Sequence, residues 1–288
     1  MTIPNRLPIS VDGGIAEGHA YSQKFVKWIG DTLEPNTFQL VETFTSIQGE
    51  GDCLGVRSLF VRTSQCNLRC SWCDTKYSFD PRPGKKHGLP DGHYIATLDE
   101  IVDEAVSEGV THVVLTGGEP TVQPYLPELV AGLQQQGLHV TIETNGTILR
   151  PELMHTVDLW SIAPKLHDGS RMTYDAEVMH SLLGAYDPAK GNMHIKWVSC
   201  TETDLDEAFN VMCSWAVWNR PLPPVWFHPN GMVPDEEYPV VCRVLAEQVL
   251  DRLANQQKDP ALWDLHPTPI IKVGLQFHRL MWGHSLGT

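Results

Sequence analysis

Three cysteines within eight residues are the first candidates for chemistry in this chain of 288 residues. Cys66, Cys70 and Cys73 have the spacing C-x3-C-x2-C. Three thiolates can hold three irons of a cubane [4Fe–4S] cluster and leave the fourth iron open. A structural zinc site usually needs four closed ligands, from two CxxC pairs or a histidine pair. The chain has no second CxxC, so the spacing favours an iron–sulfur cluster.

The other four cysteines stand alone, and we interpret each as a small buried apolar residue: Cys53, Cys200, Cys213 and Cys242. Cys53 as a fourth zinc ligand is the strongest alternative to the cluster. An odd total of seven cysteines, three of them crowded together, is poor for a disulfide framework. We therefore expect a reducing, cytoplasmic location.

A second polar motif, Gly117-Gly118-Glu119-Pro120, follows a predicted buried strand at 112–115. Glycine lets the backbone approach a ligand closely, and Glu119 with nearby carbonyl groups can accept hydrogen bonds from an ammonium group. Alone, this motif is an ordinary connection between a strand and a helix. Its position after the cysteine triplet makes the motif a strong functional signal.

The triplet and this motif together resemble the radical S-adenosylmethionine superfamily. The resemblance implies that the methionyl amine and carboxylate bind the open iron, and that one electron from the cluster yields a 5′-deoxyadenosyl radical. It implies S-adenosylmethionine contacts at Trp72, Cys73, Asp74, Gly118, Glu119, Ala163, Pro164, Lys165, Phe227, His228, Pro229 and Asn230, with further contacts at Thr144 and Asn145.

Three more segments are similar to the 7-carboxy-7-deazaguanine synthase family: residues 44–51 (FTSIQGEG), 73–75 (CDT) and 276–279 (QFHR). The resemblance implies a carbon–nitrogen lyase that converts 6-carboxy-5,6,7,8-tetrahydropterin to 7-carboxy-7-deazaguanine, with release of ammonia, in deazapurine (queuosine-type) biosynthesis. It implies substrate contacts at Ile47, Gln48, Gly49, Glu50, Arg62, Thr116 and His278, and Thr75 as a Mg²⁺ ligand.

The residue types suit these roles. The amide of Gln48 and the carboxylate of Glu50 match the donor–acceptor edge of a 2-amino-4-oxo ring. The guanidinium of Arg62 suits a substrate carboxylate, and the Thr75 hydroxyl suits Mg²⁺, which binds oxygen ligands and keeps waters.

The chain departs from the family at several positions. Ala163 stands where the family commonly has serine, and His228 stands where it has glutamine. Residues 276–279 (QFHR) replace QTHK, and the tail 280–288 does not match the family's ending.

Short apolar runs alternate with helical patterns from Phe38 onward, which predicts an α/β fold with a parallel sheet. The resemblance makes this a partial (β/α)6-type radical SAM barrel, with residues 1–37 as an N-terminal extension of little periodicity and 38–288 as a single domain. Strands are predicted at 57–62, 112–115 and 139–143 and near 157–162, 193–198, 224–228 and 269–275. Helices are predicted near 97–109, 124–136, 174–184, 203–219 and 235–255, and a loop is predicted at 76–96.

A formal net charge of −14 disfavours nonspecific nucleic-acid binding. No apolar run has the length of about 18 residues that a membrane span needs, and the start of the chain lacks a secretory pattern. The family resemblance implies an electron donor such as a flavodoxin and a homodimer.

Two alternatives remain open. A glycyl-radical activase of the same superfamily shares the cysteine triplet and the Gly-Gly-Glu-Pro motif, but it does not need the QGEG segment. A noncatalytic iron–sulfur or zinc module needs only the cysteines.

Overall fold

Nine strands form one open, mostly parallel sheet in the computed structural model, which describes residues 15–31, 33–79, 93–166, 175–199, 201–216, 220–258 and 269–283. The strand order is β3-β1-β2-β4-β5-β6-β7-β8-β9. The strands are β1 (Thr37–Ile47), β2 (Arg57–Thr63), β3 (Tyr94–Thr97), β4 (His112–Gly117), β5 (His139–Thr144), β6 (Leu159–Ile162), β7 (Met193–Ser199), β8 (Val225–Pro229) and β9 (Ile271–Val273).

Strands β2 and β4 to β9 run parallel, whereas β1 lies antiparallel between β2 and β3. The helices are α1 (Ile15–Gly30), α2 (Leu98–Ser107), α3 (Leu126–Gln135), α4 (Ala176–Gly184), α5 (Glu202–Ala216), α6 (Tyr238–Lys258) and α7 (Phe277–Trp282). Helices α3 to α6 connect the strands from β4 to β9, except that a short 3-10 turn at Pro151–Leu153 lies between β5 and β6. The predicted α/β fold with a partial barrel is therefore confirmed. None of the described helices combines the length and the apolar character that crossing a membrane requires.

The central strands are apolar because both of their faces are covered. Val113, Leu115, Val140 and Ile142 are fully buried in one hydrophobic core. A continuous apolar run of this kind is typical of strands in a parallel sheet with helical crossovers. The predicted strands at the centre of the sheet therefore agree with the structure to within a few residues.

The start of α2 also agrees with prediction. The Thr97 hydroxyl accepts a hydrogen bond from the Glu100 backbone N–H, and the Glu100 carboxylate accepts one from the Thr97 N–H at 2.7 Å. This reciprocal capping box satisfies two backbone donors that a helix start would otherwise leave without partners. Gly109, with φ of +60°, follows the end of the helix.

Strand β1 and helix α7 were not among the predicted elements, and neither were helix α1 and strand β3. Helix α1 lies in the segment that showed little periodicity, and its Phe25 and Ile29 pack on Val122 and Ile148. Strand β3 lies at the end of the predicted 76–96 loop, where it pairs with the outer edge of β1. Residues 80–92 of that loop lie outside the described residues. Helix α1 and strand β3 depend on a tertiary partner and have weak local signals.

The carboxylate of Glu119 links the carboxyl ends of β4 and β5, because it accepts hydrogen bonds from residues that follow or end both strands. Its side chain is fully buried. One oxygen accepts from the Thr144 hydroxyl at 2.7 Å and from the N–H and hydroxyl of Thr121, and the other accepts from the Asn145 N–H at 2.7 Å. Burial raises the pKa of Glu119 and these hydrogen bonds oppose the shift. Such a carboxylate acts as an acceptor for donors from two loops.

We expect Glu119→Gln to lower the free energy of unfolding by about 1–3 kcal/mol, because an amide nitrogen cannot accept and leaves a buried donor without a partner. Urea denaturation monitored by circular dichroism measures the change. Glu128→Gln, an exposed position on α3, is the matched control and should leave stability nearly unchanged. Equal effects of the two substitutions would contradict this account of Glu119.

Candidate active site

A cavity of about 300 Å³ opens at the carboxyl ends of the parallel strands. Ligand sites of open α/β sheets lie at this edge. Most residues singled out from the sequence line this cavity: Ile47, Gln48, Gly49, Glu50, Arg62, Cys66, Cys70, Trp72, Cys73, Asp74, Thr75, Thr116, Gly118, Thr144, Asn145, Ala163, Lys165, Asn230 and His278. The fold thus brings together segments that are far apart in the sequence.

The three cysteines sit on the loop that follows β2. Cys66 and Cys70 are buried together with Leu68, and Cys73 packs against them. The Leu68 N–H donates to the Cys66 sulfur at 3.3 Å. Burial and the nearby Glu119 carboxylate raise the pKa of Cys66 to about 12. Three neighbouring sulfurs that face one cavity fit a cluster with three protein ligands, and its metal would displace the thiol protons.

Two glycines allow this loop to lie directly against the end of β4. A Cβ atom at Gly117, where φ is +127°, would collide with the backbone of Thr63, and one at Gly118 would collide with the carbonyl of Gln65. The Gly118 and Glu119 N–H groups donate to the Thr63 and Gln65 carbonyls at 2.9 and 2.8 Å. The glycines therefore serve backbone-to-backbone packing beside the cysteines, in addition to lining the cavity.

Asn67, inside the cysteine loop, was missed by sequence reasoning. Its amide donates to the Thr147 hydroxyl at 2.8 Å and accepts from the Asn145 amide at 3.0 Å. All three side chains are buried. This network fixes the cysteine loop to the segment after β5, which is a contact between residues about 80 positions apart that local sequence does not signal.

The loop continues through Trp72, Asp74 and Thr75 along the cavity wall. The Lys165 ammonium lies 5.4 Å from the Trp72 ring centroid, in a cation–π arrangement. The Thr75 hydroxyl lies 3.5 Å from the Cys73 sulfur and precedes a short 3-10 turn at Lys76–Ser78. An aromatic ring, a cation and a hydroxyl therefore adjoin the cysteines.

The segment 48–50 enters the cavity from the end of β1. The Phe277 N–H donates to the Gly49 carbonyl at 2.9 Å, and a Cβ at Gly49 would collide with the His278 ring. The Gln48 amide donates to Glu143 at 3.1 Å. Glycine at position 49 is therefore required by the close approach of α7, which places His278 next to this segment.

Glu50 forms a buried ion pair with Lys196 of β7 and also accepts from the Gln276 amide at 2.8 Å. Burial opposes ionisation of Glu50, but the charge and hydrogen bond of Lys196, together with the nearby His228 and His278, outweigh it and hold the pKa of the carboxyl well below its usual range. Burial likewise opposes the charge on Lys196, and Glu50 keeps the pKa of the amine above its usual value. Both groups are therefore charged at neutral pH.

Glu143 and Lys196 are two cavity residues that sequence reasoning missed. Glu143 accepts from the Thr116 hydroxyl at 2.8 Å as well as from Gln48. Its position near the end of a predicted strand was a usable signal, since the other polar motifs follow strand ends. Lys196 is a single charge within an apolar strand, and only the tertiary structure supplies its partner.

Arg62 also lines the cavity. Its Nε donates to Glu42 at 2.6 Å, and the Tyr77 hydroxyl donates to the same carboxylate oxygen at 3.2 Å. The guanidinium also lies 5.5 Å from the Phe44 ring centroid. These contacts hold the side chain in one orientation in the wall of the cavity.

Five of the predicted S-adenosylmethionine contacts do not line the cavity: Glu119, Pro164, Phe227, His228 and Pro229. His228 is fully buried, and neither ring nitrogen has a partner within the described part of the chain. Burial lowers the pKa of His228 to about 4. Its ring packs against Gly274, where a Cβ would collide with it, so it lies in the barrel wall.

Comparisons with known proteins agree with this geometry. Residues 60–160 match the radical SAM superfamily, a family whose name implies a [4Fe–4S] cluster and S-adenosylmethionine. A 7-carboxy-7-deazaguanine synthase of Rhodopirellula baltica is 42% identical over 138 residues, which are 48% of this chain and 49% of the relative. The chain thus spans about half the length of this curated relative.

Two further matches cover more of the chain. A 7-carboxy-7-deazaguanine synthase of Pyrobaculum aerophilum is 28% identical over 253 residues, 86% of this chain and 96% of the relative. The crystal structure of QueE from Escherichia coli has a TM-score of 0.58 at 22% identity and covers 89% of this chain and 98% of that one, which supports the fold. The matched segment, the fold and these relatives thus make the chain similar to the radical S-adenosylmethionine superfamily and to proteins named 7-carboxy-7-deazaguanine synthase.

Proposed function

We propose that this chain converts 6-carboxy-5,6,7,8-tetrahydropterin to 7-carboxy-7-deazaguanine and ammonia, as a radical S-adenosylmethionine lyase of deazapurine biosynthesis. The observation that carries the proposal is that the cysteine loop and the Gln48–Glu50 segment line one cavity. A radical formed at the cysteines would then act on a molecule held by that segment. The names of the relatives support the same reaction.

In this proposal Cys66, Cys70 and Cys73 hold three irons of a [4Fe–4S] cluster. When bound, the cluster and S-adenosylmethionine supply a radical that removes one hydrogen atom from the pterin and returns it after ring contraction. Trp72 and Lys165 are placed to hold the adenosyl part against the wall of the cavity, because an aromatic face and a cation adjoin the cysteines. The protein supplies position and electrostatics for chemistry that belongs to the cofactors.

The polar edge of the pterin would bind to the Gln48–Glu50 segment, on the side of the cavity away from the cysteines. Each Glu50 oxygen has one partner, Lys196 or Gln276, and keeps a second lone pair for an N–H of the substrate. Glu143, which receives neutral donors from Gln48 and Thr116, offers a second carboxylate. His278 lies beside Gly49, within the same wall.

The substrate carboxylate would lie near Arg62 and Thr75. Arg62 bonds Glu42 through Nε, so we assign its terminal nitrogens to the substrate. We assign Mg²⁺ to the Thr75 hydroxyl, with the remaining ligands from water and substrate oxygens. A flavodoxin-type reductant and a homodimer complete the proposal by analogy with the family.

The reaction itself is the test. Cluster-loaded protein incubated without oxygen with 6-carboxytetrahydropterin, S-adenosylmethionine, Mg²⁺ and dithionite should yield 7-carboxy-7-deazaguanine by mass spectrometry. Cys70→Ala should lose the cluster's electron paramagnetic resonance signal and all product, whereas Cys213→Ser, on α5, should keep both.

Two results would contradict the proposed reaction and favour another function. A protein that cleaves S-adenosylmethionine but forms no deazapurine acts on another substrate, as a glycyl-radical activase would. A reduced cluster whose resonance spectrum does not change on addition of S-adenosylmethionine is a noncatalytic module, because the ligand should bind the open iron directly.

Lys196→Met should destabilise the fold by about 3–5 kcal/mol near neutral pH, because it leaves the Glu50 carboxylate buried without its cation. Burial then raises the pKa of Glu50 in the folded state above its unfolded value. The variant therefore loses stability as pH rises through that raised pKa, and its deficit should grow between about pH 5 and about pH 8.

Urea denaturation at the two pH values measures this deficit against wild type. Lys190→Met is the matched control, since Lys190 is exposed and lies 4.0 Å from Asp187, and its effect should be small at both values. A Lys196→Met deficit that does not depend on pH would contradict a charged Glu50–Lys196 pair.

A further inference from the structure

A second group of side chains that can bind a metal lies at the amino ends of the parallel strands, opposite the edge of the sheet that carries the cysteine triplet. His112 and His139 are the first residues of β4 and β5 and are paired in register. Cys53 ends the short helix that follows Gln48–Glu50. A ligand atom of each residue lies within 4.8 Å of the other two. The cysteine triplet follows the carboxyl end of β2, so this group lies apart from the triplet, and Cys53 lies three residues after Glu50 of the cavity wall.

The hydrogen bonds around His112 indicate that a metal would bind Nε2, in exchange for the hydrogen bond that this atom accepts from the Thr141 hydroxyl. The Ser58 hydroxyl donates to the Val56 carbonyl at 3.0 Å and lies 3.1 Å from His112 Nδ1. Since its single hydrogen is used on Val56, the hydroxyl accepts from Nδ1–H. The Nε2 atom then carries the lone pair, which accepts from the Thr141 hydroxyl at 2.7 Å. Metal-binding histidines are commonly oriented by a partner at the other ring nitrogen in this way.

The surroundings also favour a cation. Asp52 and Asp158 place negative charge near Cys53 and His112, respectively. The Thr141 hydroxyl lies within hydrogen-bond reach of both His112 and Cys53, which gives an oxygen close to a fourth coordination position.

We propose that Cys53, His112 and His139 bind one Zn²⁺ ion and so fix the segment that carries Gln48–Glu50 to the starts of β4 and β5. One thiolate and two imidazoles are a donor set that zinc prefers. Tetrahedral bonds of about 2.0 Å to nitrogen and 2.3 Å to sulfur separate the ligand atoms by about 3.3–3.5 Å, so the ligand atoms, which lie within 4.8 Å of one another, approach by at most about 1.5 Å. Binding releases the Cys53 thiol proton to solvent, and affinity therefore rises with pH.

Zinc content measured on the cluster-loaded protein tests the site. After equilibrium dialysis against Zn²⁺, wild type should hold one zinc in addition to the cluster's iron. Zinc K-edge absorption should show one sulfur and two imidazole nitrogens. Cys53→Ser and His139→Asn should each lose this zinc, whereas Cys213→Ser, a matched cysteine on α5, should keep it. Circular dichroism confirms that each variant is folded.

A second variant separates metal binding from local packing. Ser58→Ala keeps all three ligands but removes the partner of His112 Nδ1, and should weaken zinc binding about 10–100-fold. Wild type without extra zinc, or zinc that persists in Cys53→Ser, overturns the proposal. An absorption spectrum with no sulfur neighbour does the same. None of these measurements depends on the reaction proposed above.

Discussion

The close backbone contact between β4 and the cysteine loop is the constraint on which the site depends. Gly117 and Gly118 lie against Thr63 and Gln65 with no room for a Cβ atom, and two backbone hydrogen bonds join the segments. Because packed backbones cannot shift independently, the position of β4 in the sheet sets the position of the three cysteines. A fixed loop is what three ligands to one cluster require.

Buried polar groups extend this constraint to the neighbouring strands. Glu119 receives donors from the segments after β4 and β5, and Asn67 joins the cysteine loop to the latter. Buried polar atoms are costly without partners, so each of these hydrogen bonds specifies one arrangement of the loops. The carboxylate of Glu119 thereby acts on the cavity through the elements it holds, without lining it.

The segment after β1 connects the antiparallel strands β1 and β2. Glu50 at its start pairs with Lys196 in the cavity, and Asp52 contacts His194 at 3.2 Å and Lys272 at 2.5 Å. Polar partners from two strands, β7 and β9, therefore hold a segment of irregular backbone. The same contacts explain why Glu50 is ionised before any ligand arrives, since Lys196 compensates the cost of its burial.

The sequence by itself predicted the parallel α/β fold, because this depends on apolar runs, and it predicted most residues that line the cavity, because these lie in short motifs such as the cysteine triplet. It did not predict α1 and β3, whose stability comes from packing on Val122 and pairing with β1. Nor did it predict Glu143, Lys196 or Asn67 in the site, or that His228 lies in the wall. Those roles depend on contacts between distant residues, which only the tertiary structure brings together.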